Sequence, residues 1–104
     1  MRDAHGILTR RLQAWLGTHG LAPMLCSSHS EQWASATFSG ARHQFGFAID
    51  PETDDARTRL ERAGAAIRDA DFLLPGHILA DIGLVPSLEA PTHFAIEALT
   101  VEAA

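Results

Sequence analysis

The amino-acid sequence predicts an α+β fold, a two-layer sandwich in which two helices lie on one face of an antiparallel four-stranded sheet. Two apolar stripes recur at helical spacing, one near the start of the chain and one in its middle. Each stripe is followed by two segments in which apolar and polar residues alternate, as in strands with one buried face. The order is therefore α-ββ-α-ββ. A chain of 104 residues is enough for one core, so we expect residues 1–104 to form a single domain.

The charge balance disfavours two classes of partner. Thirteen acidic residues against eight arginines give a net charge of −5 without a basic stripe, so neither nucleic acid nor a membrane surface is expected to bind. No apolar run approaches ~18 residues and no apolar leader segment opens the chain, so we expect a cytoplasmic protein. Lysine, asparagine and tyrosine, whose codons are AT-rich, are absent, which indicates a GC-rich bacterial genome.

The first helix is predicted over residues 4–19. Asp3 can cap its start, and Gly20 stands where a left-handed C-terminal residue would end it. His5 and His19 fall on the apolar face at its two ends, where histidines at the edge of a core are more common than metal ligands. The apolar stripe that predicts the helix is Leu8, Leu12, Trp15 and Leu16.

The first strand pair is predicted at residues 33–38 and 43–49, with a short edge strand at 24–28 as an addition. A two-residue turn at Gly40 and Ala41, with glycine first, would join the two strands. This turn would pair Phe38 with His43, Ala36 with Phe45, and Ala34 with Phe47. The single cysteine, Cys26, cannot form an intrachain disulfide, and we expect it to be a small buried side chain rather than a nucleophile.

The second helix is predicted within residues 50–71. Proline follows Asp50, acidic residues crowd the first turn, and Asp55 and Arg59 have the spacing of a favourable ion pair. Its stripe is narrow and rich in alanine, which allows a close approach to a sheet: Ala56, Leu60, Ala63, Ile67 and Ala70.

The segment 77–84 fits both a helix and a strand. Pro75 and Gly76 suit a turn before it, and about eight residues are typical of a strand and short for a helix, so we favour a strand. On a strand, His77 and Asp81 lie ~13 Å apart and cannot share a metal ion or a hydrogen bond. Residues 93–101 alternate as a further strand.

Two residues of these last strands are candidates for acid–base chemistry. If Ile78 pairs with Ala98, then His77 and Glu97 become diagonal neighbours, and the carboxylate could orient the imidazole as a general base. An exposed pair without a catalytic role is the simpler alternative. No metal-binding spacing occurs, and a metal site would require tertiary convergence, for example of His43, His77 and His93. We therefore expect neither a metal nor a cofactor.

The sheet face away from the helices is predicted to be neither a charged surface nor a core. An exposed tryptophan among aliphatic residues points to a buried partner. The candidate ligand or interface residues on this mixed face are Trp33, Leu79, Asp81, Leu99 and Val101.

Two functions from different classes follow. The first is a non-catalytic module that self-associates through the mixed face, as a homodimer or a component of an assembly. The second is a small-molecule-binding protein or enzyme with a cleft on that face, using His77 and Glu97 as acid and base. The sequence favours the first, because a tryptophan and several aliphatic residues outweigh one uncertain polar pair.

Overall fold

Two helices and a four-stranded antiparallel sheet follow one another in the predicted α-ββ-α-ββ order, which confirms the α+β fold class. The computed structural model describes residues 3–49, 55–90 and 92–103. Its elements are α1 (Ala4–Thr18), β1 (Met24–Ala34), β2 (Ser39–Ala48), α2 (Ala56–Ala66) with a 3₁₀ turn (Ile67–Asp69), β3 (His77–Pro86) and β4 (His93–Glu102).

Helix α1 begins and ends as the sequence predicts. The Asp3 carboxylate accepts a hydrogen bond from the Gly6 amide at 2.9 Å, which satisfies one of the free N–H groups of the first turn. At the other end Gly20 has φ = 76°, and the amides of Gly20 and Leu21 bond back to the carbonyls of Gly17 and Leu16. This pair of bonds is a Schellman motif, which depends on a residue that tolerates left-handed backbone.

Both helices pack on the same sheet face. The strand order is β1-β2-β4-β3, so the two hairpins are joined at β2 and β4 in the middle of the sheet. A single core contains the buried side chains of both helices together with alternate residues of the central strands, which lie on one face. The central members of this core are Leu8, Leu12, Leu16, Leu60, Ala63, Ile67, Phe45, Phe47, Phe94 and Ile96.

Helix α2 buries the predicted stripe as far as Ile67, and Ala70 is half-buried beyond the 3₁₀ turn. The Arg59 guanidinium donates to the Gly20 carbonyl oxygen at 2.9 Å, which ties α2 to the end of α1. The expected start at Asp50 and the acidic first turn fall mostly on residues 50–54, outside the described ranges. No helix in the described ranges is long and apolar enough to cross a membrane.

The predicted turn of the first hairpin is wrong. Strand β1 runs continuously from Met24, so the suggested edge strand at 24–28 is its first part, and residues 35–38 form the turn. Ser35 closes this turn, because its hydroxyl accepts from the Phe38 amide at 3.1 Å while its own amide donates to the Phe38 carbonyl. As a result His43 pairs with Ser30, and not with Phe38.

Strands β3 and β4 form the predicted antiparallel hairpin in a different register. Ile82, and not Ile78, lies opposite Ala98. A β-bulge between Leu79 and Asp81 leaves Ala80 without a partner on β4. Because one extra residue reverses the alternation of the strand, the residues before the bulge lie on the opposite face from the one that simple alternation predicts.

Candidate functional site

The sheet face that the helices leave uncovered forms one candidate surface, which we call the open face. Residues that pair side by side across the four strands form rows on it. The first row, at the end nearest the β1–β2 turn, is Trp33, Gly40, Val101 and Ile78, and the second is Glu31, Arg42, Leu99 and Asp81. Four residues of these rows, Glu31, Arg42, Asp81 and Ile78, are exposed, and the buried residues of both helices belong to the core on the other face.

The open face is apolar at that end. The Ile78 side chain is 58% exposed, whereas Trp33, Leu99 and Val101 are half-buried by their neighbours on the sheet. Within the described chain, the indole Nε1 of Trp33 is buried without a hydrogen-bond partner. A buried N–H group without an acceptor costs about 1–3 kcal/mol. In the next row, charged side chains flank Leu99 on both sides: Arg42 on β2 and Asp81 on β3.

The structure separates the candidate residues of the mixed face into two groups. Trp33, Asp81, Leu99 and Val101 lie on the open face, as predicted from alternation. Leu79 instead lies opposite Thr100 on the helix-covered face and packs against the core. The β-bulge accounts for this difference, because it reverses the facing of the residues that precede it.

The predicted contact between His77 and Glu97 is wrong. Glu97 lies opposite Gly83 on the open face, whereas His77 lies opposite Glu102 on the helix-covered face. The sheet therefore separates the imidazole from the carboxylate, and the two residues cannot act as an acid–base pair in one site. His77 and Asp81 are separated in the same way, because the bulge lies between them.

A cavity of about 360 Å³ lies between the start of α1 and the same end of the sheet, on the helix-covered face. We call it the histidine pocket. It gathers polar side chains from α1 and all four strands, and these surround a histidine that belongs to the core. The ionisable residues that line the pocket are Asp3, His5, His43, His77 and Glu102.

His43 is the buried centre of this pocket, with only 2% of its surface exposed. Its Nδ1 lies 2.9 Å from Nδ1 of His5, and its Nε2 lies 2.9 Å from the Thr100 hydroxyl oxygen. The Thr100 hydroxyl donates to the Ala41 carbonyl oxygen at 3.4 Å. Each polar atom of a buried imidazole therefore has a partner, as buried polar groups require.

The hydrogen bonds of Thr100 determine which atom donates and which accepts in the hydrogen-bond chain that runs from His5 through His43 and Thr100 to Ala41. Since the hydroxyl proton goes to Ala41, the hydroxyl oxygen accepts from Nε2–H of His43, and Nδ1 of His43 is left as an acceptor. His5 then donates from Nδ1–H, and its own Nε2 carries a lone pair. The His5 ring is held parallel to Phe45, with centroids 4.8 Å apart.

The surroundings of His5 and His43 favour their neutral forms. Burial, together with the smaller effect of the nearby His5 and His77 charges, lowers the pKa of His43 to about 4, against a smaller rise from Asp3. Burial also lowers the pKa of His5, where Asp3 opposes the shift and His29 adds to it. Both rings are therefore neutral at pH 7.

The remaining ionisable side chains of the pocket offer acceptors. Nδ1 of His77 lies 3.2 Å from the Pro75 carbonyl oxygen, so in the neutral ring Nδ1 carries the proton and Nε2 the lone pair. Glu102 accepts the Ser39 hydroxyl through Oε2 at 2.6 Å. Asp3 accepts the Gly6 amide through one oxygen and has a second oxygen to offer.

The described residues contain no three His, Cys, Asp or Glu side chains arranged to hold a metal ion. His43 and His77 share the histidine pocket, but His93 lies at the far end of β4, opposite Ala48. Cys26, expected to be buried, is exposed, because it lies at the bulge of an edge strand.

Sequence reasoning missed His5, Thr100 and Glu102 as parts of a site. One signal was available, because His43 alternates with Phe45 and so occupies a core position on a strand. A histidine in such a position requires polar partners from the facing elements. Their identity depended on the register of β4 and on the approach of α1, which the local pattern does not contain.

Comparison of the chain with models of protein families, with curated proteins and with solved structures gives no match.

Proposed function

We propose that the protein is a non-catalytic module that forms a homodimer through its open face. The observation that carries this proposal is the apolar end of that face, where Trp33, Leu99, Val101 and Ile78 lie together without a covering element in the described chain. Exposed apolar groups that are contiguous and rimmed by charge are typical of surfaces that bind another protein. We propose a second copy as the partner because it is present in any solution of the protein.

The size of the open face is compatible with a dimer. Neighbouring strands lie about 4.8 Å apart and each residue advances about 3.3 Å, so four strands of about ten residues present roughly 20 by 30 Å. Two such faces would bury on the order of 1,200 Å² together, which is the lower end for specific interfaces.

Side-chain sizes favour a two-fold axis parallel to the strands. This axis sets the first row of one copy against the first row of the other in reverse order, so that Trp33 faces Ile78 of the second copy and Val101 faces Gly40. Large side chains then meet smaller ones. An axis across the strands would instead set Trp33 against the opposite end of the face, where Ser27 and His93 are polar.

A homodimer formed by pairing the open faces of two copies can act alone or as a component of a larger assembly. The exposed thiol of Cys26 suits a reducing compartment, which supports the cytoplasmic location expected from the sequence.

The test is the mass of the protein in solution. We expect sedimentation or light scattering to give a particle of two 11.2 kDa chains for the wild type. Leu99→Asp and Trp33→Asp should each give a monomer, because a charge buried without a partner opposes association. Circular dichroism checks that each variant is folded.

Matched variants separate the open face from a general effect of charge. Leu88→Asp makes the same substitution at a loop residue that is fully exposed and away from the open face, and it should leave the dimer intact. Trp33→Phe keeps an aromatic side chain and should also leave it intact. A monomeric wild type at high concentration, or a folded Leu99→Asp that stays dimeric, would contradict the proposal.

The alternative of an acid–base enzyme built on His77 and Glu97 has no support in this geometry, because the two residues lie on opposite faces. Small-molecule binding is a second candidate function. The observation that favours it is the histidine pocket, which brings His77 together with His5, His43 and Glu102.

A further inference from the structure

We propose that the histidine pocket binds a small organic cation of the primary-ammonium class. The pocket lies on the helix-covered side of the sheet, away from the open face, so this inference does not rest on dimerisation. Its volume of about 360 Å³ falls within the range of small-molecule sites.

The first reason is the charge of the lining. Asp3 and Glu102 contribute two carboxylates, and no arginine among the described residues lines the pocket. The sequence contains no lysine. Because His43 is buried and fully hydrogen-bonded as a neutral ring, it does not offset these negative charges. The Asp3 carboxylate caps the N-terminus of α1 and offsets the partial positive charge of that helix end, so Glu102 leaves the lining net negative, which favours a cation over an anion of the same size.

The second reason is the hydrogen-bonding character of the atoms that stay free. His5 and His77 each use Nδ1–H in a hydrogen bond within the protein, which leaves Nε2 as an acceptor. Asp3 and Glu102 each have one carboxylate oxygen that is not engaged by Gly6 or Ser39. These four acceptors and two negative charges suit the three N–H donors of an ammonium group, and Ser30 and Gln32, which also line the pocket, can accept as well as donate.

The third reason is that the chain of His5, His43 and Thr100 is anchored at a backbone carbonyl. Its last member, Thr100, donates to the Ala41 carbonyl within β2. If both imidazoles moved their protons to the other ring nitrogen, the buried bond between His43 Nε2 and Thr100 would be broken. The acceptor on His5 is therefore held in place before a ligand arrives. Such preorganisation reduces the cost of ordering the site on binding.

The experiment compares three probes of similar size and different charge: propylammonium, propanol and propionate. Ring proton resonances of the histidines are followed by NMR during titration of the full chain at pH 7.5. We expect propylammonium to shift the resonances of His5, His43 and His77 to a plateau, propanol to shift them weakly, and propionate to leave them unchanged. Preferential binding of propionate or of inorganic phosphate would overturn the proposal, as would no saturable shift with propylammonium.

Variants identify the pocket as the site. Glu102→Gln should weaken propylammonium binding by roughly tenfold to hundredfold, because a charge-assisted hydrogen bond is lost. Asp3→Asn should weaken it as well while still capping α1, since asparagine is an equally good N-cap. Glu97→Gln makes the same charge change on the open face and should have no effect. Equal weakening by Glu102→Gln and Glu97→Gln would mean that net charge alone attracts the probe, and would overturn the proposal.

Failure of this proposal is distinguishable from failure of the dimer. Leu99→Asp should bind propylammonium as the wild type does, whether it is a monomer or a dimer, because Leu99 lies on the open face. Loss of binding in folded Leu99→Asp would place the cation at the dimer interface, and would contradict the pocket described above.

Discussion

The Nδ1 atoms of His5 and His43 lie 2.9 Å apart, so that α1 and β2 share one hydrogen bond between two imidazole rings. One ring must donate and the other accept, which requires that the accepting nitrogen carries no proton. Since His43 is buried and its Nε2–H is bonded to Thr100, protonation of His43 puts a proton on Nδ1, and His5 must then move its own proton to Nε2 or lose this contact. Stability and pH are therefore linked at this point of the fold.

We expect acid to destabilise the protein through His43. The unfolded chain binds a proton near pH 6.5, whereas the folded residue has a pKa of about 4. The free energy of unfolding is therefore unaffected by His43 above about pH 6.5. It falls as the pH decreases from 6.5 toward 4, by about 3 kcal/mol in all, because only the unfolded chain takes up the proton in this range. Urea unfolding across this range, together with the titration of the His43 ring resonances, measures the effect.

The control for this prediction is His43→Gln, which removes the titrating group and keeps a polar side chain. Its free energy of unfolding should fall less steeply than that of the wild type between pH 6.5 and 4. A His43 midpoint near 6.5 in the folded protein would contradict the expected burial.

The parts of the fold that local patterns determine were predictable. Helix α1 has its stripe, its Asp3 cap and its Gly20 terminus in consecutive sequence, so each signal agrees with the others. β3 could be assigned from its length and from the turn at Pro75 and Gly76. These elements confirm the α-ββ-α-ββ order, because they depend only on residues close in sequence.

Register was less predictable, because it depends on turns and bulges. The glycine at position 40 resembles the start of a two-residue turn, but the hydroxyl of Ser35 forms a turn five residues earlier. The register moves by an even number of positions, so Phe45 and Phe47 stay on the core face and Trp33 on the open face. The face could therefore be predicted although the pairs could not.

The bulge at Ala80 had the opposite consequence for the site. It moves the strand by an odd number of residues, so His77 lies in the histidine pocket and not beside Glu97. Nothing in the alternation of residues 77–84 marks the position of a bulge. The pocket also requires His5 from α1 and Thr100 from β4, which only the tertiary fold brings together.

Gly20 and Gly17 should respond in opposite directions to the same substitution. Gly20→Ala places a side chain on backbone with φ = 76° and against Arg59, so we expect a loss of about 1 kcal/mol or more. Gly17→Ala lies within α1 with no atom near its new methyl group and should gain about 0.5–1 kcal/mol. Thermal or urea unfolding of the two variants measures the difference, and equal changes would contradict the Schellman end of α1.

Gly40 is expected to be the least tolerant glycine of the sheet. A Cβ atom there would overlap the backbone carbonyl of Thr100 on the neighbouring strand, which cannot move without opening the sheet. We expect Gly40→Ala to cost about 3 kcal/mol, as in an overpacked core. Gly46→Ala meets only the Ser27 hydroxyl, which can rotate away, and should cost under about 1 kcal/mol. Similar unfolding free energies for the two variants would contradict the register of β2 with β4.

Thr100 tests the direction of the hydrogen-bond chain. Thr100→Val keeps the shape of the side chain but removes the acceptor of His43 Nε2–H, so a buried N–H loses its partner at a cost of about 1–3 kcal/mol. Thr100→Ser restores the hydroxyl and should recover most of this loss. Nitrogen chemical shifts of His43 report which ring nitrogen carries the proton, and in the wild type this should be Nε2. If Nδ1 carries it instead, His5 is the acceptor and its Nε2 carries a proton, which would remove one of the four acceptors proposed for the ammonium ligand.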